Sequence, residues 1–185
     1  MVRVSGTTPV TKLAGAIAHS LRSGPKCMVS AIGAAAVNQA IKGIITARSY
    51  LEETGKDIEV TARINIEVGR DAFDITVLSV EGRRTLPDPS DEAFKVGAST
   101  AFFKLAGALA NRVREGKAVG DEPLLCVGIG ANAVMAMLKA SVSAAEYVAE
   151  EGHRLVVVPD RVTVPGATEE EDRTAMRLSI FNVAA

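Results

Sequence analysis

The chain has no tryptophan, and aromatic residues of any kind make up only 4% of its 185 residues. A core without large rings must be filled by alanine, valine, isoleucine and glycine, which requires layers that lie close together. Cysteine is as scarce: Cys27 and Cys126 each sit inside an apolar run, with no CxxC and no Cys/His cluster, so the expectation is two reduced core thiols rather than a disulfide or zinc framework. The two histidines, His19 and His153, stand in unlike surroundings without a nucleophile or a metal-like neighbour at helical spacing. There is no triad, no zinc pattern and no phosphate-binding glycine loop ending in lysine. The chain is therefore expected to be non-enzymatic, with no catalytic residue, no cofactor and no metal. Also missing is an excess of charge. Twenty-one Lys/Arg against 22 Asp/Glu leave a net charge of -1, which excludes the broad basic surface of an architectural nucleic-acid binder.

No signal peptide is visible, because Arg3, Lys12 and His19 interrupt the apolar residues of the first 22 positions. The stretch "PLLCVGIGANAVMAMLKASVSAA", 123–145, holds one charge in 23 residues and has the length of a membrane span. Its glycines, Asn132, Lys139 and shortage of large aliphatics favour a strand, a glycine and a helix instead. The expectation is a cytoplasmic chain with no membrane partner.

What the chain does have is a repeat, which must be found before any element is assigned. "KLAGAIA" (12–18) returns as "KLAGALA" (104–110), six of seven identical at an offset of 92. "AIGAAAVNQAIK" (31–42) returns as "GIGANAVMAMLK" (128–139), six of twelve identical at an offset of 97. "RDAFDITVLSV" (70–80) returns as "RTAMRLSIFNV" (173–183) at an offset of 103. The matches are collinear and the offset grows only by loop insertions. Two copies are expected, 1–83 and 93–185, joined by a linker at 84–92 whose Pro87, Pro89 and mixed charges suit a connection. Residues 1–86 carry 11 Lys/Arg and 8 Asp/Glu, net +3, and residues 87–185 carry 10 and 14, net -4, which points to different jobs for the halves.

Each copy reads as the same series of elements. "RVSG" is a short strand. "TTPVTKLAGAIAHSLRSG" is a helix with Thr7 or Thr8 as N-cap, Pro9 in the first turn, an apolar face of Leu13, Ile17 and Leu21, and Gly24 at its end. "KCMVSAIG" is a nearly continuous apolar run, which predicts a central strand buried on both faces. "AIGAAAVNQAIKGIITAR" then starts a second helix that runs to about Glu53, with Gly55 closing it. Asn38, Lys42, Thr46 and Ser49 form a polar stripe on it, with Gln39 alongside, opposite Val37, Ile41, Ile44 and Leu51, while its small residues leave room for another backbone. "DIEVTARINIEV" alternates, with Ile58, Val60, Ala62, Ile64 and Ile66 inward and Glu59, Thr61, Arg63 and Asn65 on a wet face. "FDITVLSV" completes a hairpin. The order β-α-β-α-β-β predicts an α+β fold, a four-stranded sheet with two helices on one face, repeated in tandem.

Three functional readings of the strand–glycine–helix turn stand open. "GIGANA" at 128–133, with Glu150 about twenty residues on, satisfies a dinucleotide fingerprint, but the first copy lacks it. The helix N-termini at Gly33–Ala34 and Gly130–Ala131 offer backbone N–H groups to an anion. The loop can also present polar side chains to a macromolecular partner.

At these residues the chain resembles a known family. "AIGAAAVNQAIKGIITAR" is similar to the signature of the stage V sporulation protein S family, "VRVSGTTPVTKLAGAIAHSLR" resembles its first strand and helix, and "VVVPDRVTV" with "EEDRTAMRLSI" resembles its last strands. The likeness covers both copies, so the chain resembles two family members in tandem. It implies two Alba-like repeats, a fold that binds nucleic acid through the first strand–helix loop, the second strand–helix loop and the hairpin between the last strands. On the matching positions it implies nucleic-acid contacts by Thr8, Thr11 and Lys12, by Gly33, Asn38, Gln39 and Lys42, and by Arg70, with Arg63 in the same basic patch if these residues converge. Lys104, Asn132, Lys139 and Arg173 are the counterparts in the second copy, where Met135 and Ala136 replace the polar pair and "EEED" is added. The expectation is a regulatory protein of development or sporulation that binds DNA or RNA mainly through the first copy. The alternative is the same fold as an assembly module, associating between repeats and as a homo-oligomer.

Overall fold

The structure is a computed structural model and describes residues 1–183. The first copy contains β1 (Val2–Val4), α1 (Val10–Ser23), β2 (Lys26–Ile32), α2 (Ala34–Tyr50), β3 (Lys56–Ile64) and β4 (Ala72–Glu81). The second contains β5 (Phe94–Val96), α3 (Phe102–Arg114), β6 (Leu124–Gly128), α4 (Ala131–Ala149), β7 (Arg154–Val164) and β8 (Arg173–Val183). The expected β-α-β-α-β-β order is present twice, in a mixed α+β fold.

Within the first copy β1 runs parallel to β2, β2 antiparallel to β4, and β4 antiparallel to β3. The second copy repeats this with β5, β6, β8 and β7. The copies then join edge to edge. β3 pairs antiparallel with β7, Val60 opposite Val157, and the result is one eight-stranded sheet in the order β1-β2-β4-β3-β7-β8-β6-β5. Val60 and Val157 are separated by the same 97 positions that relate the two second helices, so each faces its own counterpart across a pseudo-two-fold axis. Near that axis α2 packs on α4, α4 leans on β3, and α2 leans on β7.

All four helices share one face of the sheet and one core. Ile58, Val60, Phe73, Ile75 and Val77 meet Leu13, Ile17, Leu21, Ile41 and Ile44, and Val157, Leu178 and Ile180 continue the layer under Leu109 and Met137. Each such side chain stabilises the fold by about 1.5–3 kcal/mol on full burial. The shortage of rings is met by close approach: a methyl group at Gly43 of α2 would sit 2.5 Å from Leu13 Cδ2 of α1.

Several local expectations are corrected. α1 starts later than the threonines allow, at Val10 with Pro9 as N-cap, and Thr8 Oγ1 instead accepts the Ser5 N–H at 2.8 Å. β2 is central, but its burial alternates, with Cys27, Val29 and Ala31 buried and Met28 and Ser30 half-buried, because helices cover only one side. β3 ends at Ile64, so Ile66 lies in the turn and is exposed. The wet face of β3 is wet only at its far end, since Asp57 and Glu59 are buried.

What buries them is the connection between the copies. It runs as a strap across the sheet face that carries no helices. The Arg84 guanidinium lies 4.5 Å from the Phe181 ring centre and donates to Glu59 at 2.8 Å. Leu86 packs on Val156, Val158 and Phe181. The carbonyls of Pro87 and Asp88 accept from Arg177 at 2.8 and 3.0 Å.

Candidate nucleic-acid interface

β1 and β2 are parallel, so the loop after β1 and the turn after β2 leave the sheet at the same end. The β3–β4 hairpin turn, 65–71, joins them there, since Ile32 at the end of β2 lies opposite Ala72. Two hydrogen bonds tie the three segments together. Gln39 Nε2 donates to the Thr8 carbonyl at 2.8 Å, and the Gly33 N–H donates to the Asp71 carbonyl at 2.9 Å. Gly33 has φ 84° and ψ 165°, a region that only glycine enters readily, and Gly130 repeats it at φ 94° and ψ 159°.

The structure thus gathers Thr8, Gly33 and Gln39, but as the frame of the site, because their polar groups hold one loop to another. Thr11 and Lys12 are exposed in the first turn of α1, and Arg70 is exposed in the hairpin turn. Neither Lys12 nor Arg70 makes an ion pair among the described residues. Asn38 and Lys42 are half-buried on α2. Arg63 does not join them. Strand parity turns Ile58 and Val60 to the helices and Arg63 to the opposite face, where it lies opposite Asp74 and donates to it at 2.8 Å, with Asn65 donating to the same oxygen at 3.2 Å.

The second copy keeps the turn after its first strand, but among the described residues neither tether has a counterpart. The Gly97 N–H donates to Thr100 Oγ1 at 2.8 Å, as Ser5 does to Thr8, but Ala136 stands where Gln39 would reach back. Lys104, Asn132 and Arg173 are exposed. Lys139 is not free: its ammonium forms a salt bridge with Asp71 of the first copy and lies 5.4 Å from the Phe102 ring centre. Local spacing carried no signal for that contact, which joins positions 68 apart and depends on how the copies pair. Because β3 and β7 are antiparallel, the loop ends of the two copies point to opposite ends of the sheet.

The chain matches the model of the Stage V sporulation protein S (SpoVS) family over residues 1–81 and again over 92–183. It belongs to the SpoVS family. The two SpoVS units flank the strap, of which residues 82–91 lie between the matched stretches. The hydrophobic segment at 123–145 divides into β6, a glycine turn and the larger part of α4, and among the described residues no helix is long and apolar enough to cross a membrane.

Proposed function

We propose that this SpoVS-family protein is a non-enzymatic regulatory protein that binds nucleic acid, DNA or RNA, chiefly through phosphate contacts at the loop end of its first copy. The observation that carries the reading is the pairing of a braced frame with free charge: three loops are tied together at one end of the sheet, and Lys12 and Arg70 there have no carboxylate partner among the described residues. Backbone-directed binding needs cations fixed in place, and each phosphate neutralised makes affinity more sensitive to salt.

The test is fluorescence anisotropy of labelled duplex DNA and single-stranded RNA across a salt series. Wild type is expected to bind at low ionic strength and to weaken as salt rises. Lys12→Glu/Arg70→Glu is expected to bind more weakly with a shallower salt dependence. A wild type that binds neither probe at low salt ends this reading.

A second reading, an assembly module, is favoured by the apolar tip of the same hairpin, where Ile66 is 82% and Val68 59% exposed. Sedimentation equilibrium separates the two: a chain that self-associates in the absence of nucleic acid, and loses this with Ile66→Ser/Val68→Ser, is using the tip for its own kind.

A further inference from the structure

We infer that a second phosphate-contact site is built across the two copies, from Lys42 of α2 and Arg161 of β7, with Thr163 and Thr174 beside them. This rests on the proposed nucleic-acid binding and assigns a site on the far side of the pseudo-two-fold axis from the first.

The starting point is the contact between Lys139 and Asp71. Val60 faces its own counterpart Val157, so every contact made by one copy on the other has a mate related by the axis. Lys139 corresponds to Lys42 at the offset of 97, Asp71 to Thr174 at 103, and Phe102 to Val10 at 92. α2 leans on β7 as α4 leans on β3, so the axis relates Lys42 to the second copy's hairpin as it relates Lys139 to the first copy's. At one position a lysine finds a carboxylate and an aromatic ring. At the mate position the counterparts offered to Lys42 are a threonine and a valine. Lys42 has no ion pair among the described residues.

The surroundings change in the same direction. Arg161 occupies the position that Ile64 holds in the first copy, again at the offset of 97. Leu155 and Val157 of the same strand face the helices, and strand parity places Arg161 on that side too, opposite Met176. It is exposed and, like Lys42, without an ion pair among the described residues. Thr163 and Thr174 are paired directly across β7 and β8. One end of the axis therefore holds a closed salt bridge, and the other an ammonium, a guanidinium and two hydroxyls. That donor set suits phosphodiester oxygens: the arginine fork and the hydroxyls give directed hydrogen bonds, and the lysine gives a point charge. The acidic turn next to the site does not close it in the way Asp71 closes the other. The Asp172 and Glu171 carboxylates accept the Gly166 and Ala167 N–H groups of their own loop, at 2.8 and 3.1 Å. Glu169 and Glu170 remain exposed there and weaken the site relative to a purely basic one.

The experiment uses the full chain, the same labelled duplex DNA and single-stranded RNA, and the slope of log affinity against log salt. Lys42→Gln is expected to lower that slope by about 1, the value of one lost phosphate contact. Thr174→Asp restores the closing carboxylate and is expected to do the same, with no further loss when combined with Lys42→Gln. Asp71→Thr opens the mate site by freeing Lys139 and is expected to raise the slope by about 1. Thr174 and Arg161 are exposed, so Thr174→Asp and Arg161→Gln keep the test valid if Lys42→Gln disturbs folding. If these variants leave the slope unchanged while Lys12→Glu lowers it, the cross-copy site is wrong and the first-copy reading stands. Absence of binding by wild type overturns both.

Discussion

Arg177 lies directly opposite Asp160 across β7 and β8, and the equivalent positions of the first copy, Arg63 and Asp74, hold the same ion pair with the charges exchanged. The exchange decides where the strap lies. Arg177 spends two nitrogens on Asp160, both at 2.9 Å, and still has donors for the carbonyls of Pro87 and Asp88. A carboxylate at that position, as in the first copy, has no hydrogen to give to a carbonyl. Arg177 is 2% exposed as a side chain and Arg63 75%. Arg177→Met is therefore expected to cost about 3–5 kcal/mol, as when one partner of a buried pair is removed. Arg63→Met is expected to cost less, about 1–3 kcal/mol, because the buried Asp74 it leaves keeps the Asn65 hydrogen bond. Urea unfolding of both variants checks this, and equal losses would remove the strap's dependence on Arg177.

Element order was readable because each copy confirms the other: the spacing of Leu13, Ile17 and Leu21 and the alternation around Ile58 and Val60 are local patterns that recur. The junction was not readable. Any edge strand is free to pair, and nothing near Val60 announces Val157. The strap read as a linker because prolines and mixed charges look alike in a loose connection and in a segment pinned by Arg177, 90 positions from Pro87. Glu59 read as solvent-facing because its alternation is real, and the cover over it comes from Arg84. At the site, Lys12 and Arg70 were identified by likeness alone, whereas Arg63 needed only strand parity to be placed on the other face.

Asp57 gives the fold an acid-sensitive point. Burial by itself would raise its carboxyl, but hydrogen bonds from Arg48 at 2.6 and 2.9 Å and from the backbone N–H groups of Arg84 and Ile58, with the Arg48 charge, outweigh burial and hold it below the usual carboxylate range. A group depressed in the folded state stabilises it above its unfolded pKa, near 4 for Asp, and that stability is lost as pH falls through the folded value. Asp57→Asn is expected to be less stable than wild type at neutral pH and to lose less below about pH 4. Urea midpoints across that range decide, and parallel acid losses in the two proteins would assign the sensitivity to other groups.

Gly33 and Gly15 should respond to alanine with opposite signs. Gly33 holds φ 84° in a region that side chains avoid, so Gly33→Ala is expected to cost about 1–3 kcal/mol, and Gly130→Ala the same. Gly15 is an exposed residue inside α1, and apart from its chain neighbours and the adjacent turns of its own helix backbone no described heavy atom lies within 4 Å of where a methyl group would go. Gly15→Ala is expected to stabilise by about 0.4–1 kcal/mol. Thermal melts of the three variants test the pattern.

The thiols are expected to be silent in the folded protein. Burial pushes Cys126 up to about 12 and raises Cys27 as well, so neither supplies thiolate near neutral pH. An aromatic disulfide reagent should modify neither residue in native buffer and both in denaturant. Fast native labelling would mean that the core opens locally.

The pairing of Val60 with Val157 has a last consequence, for inheritance rather than stability. When two identical chains meet on a two-fold axis, every substitution arrives twice, and a carboxylate placed to meet one lysine meets its twin as well. Here the halves share one chain, so each position is written separately. Asp71 can be kept while its counterpart is Thr174, and Arg63 can be kept while its counterpart is Asp160. Covalent joining thus turns a symmetric pair into two surfaces free to diverge on a common scaffold.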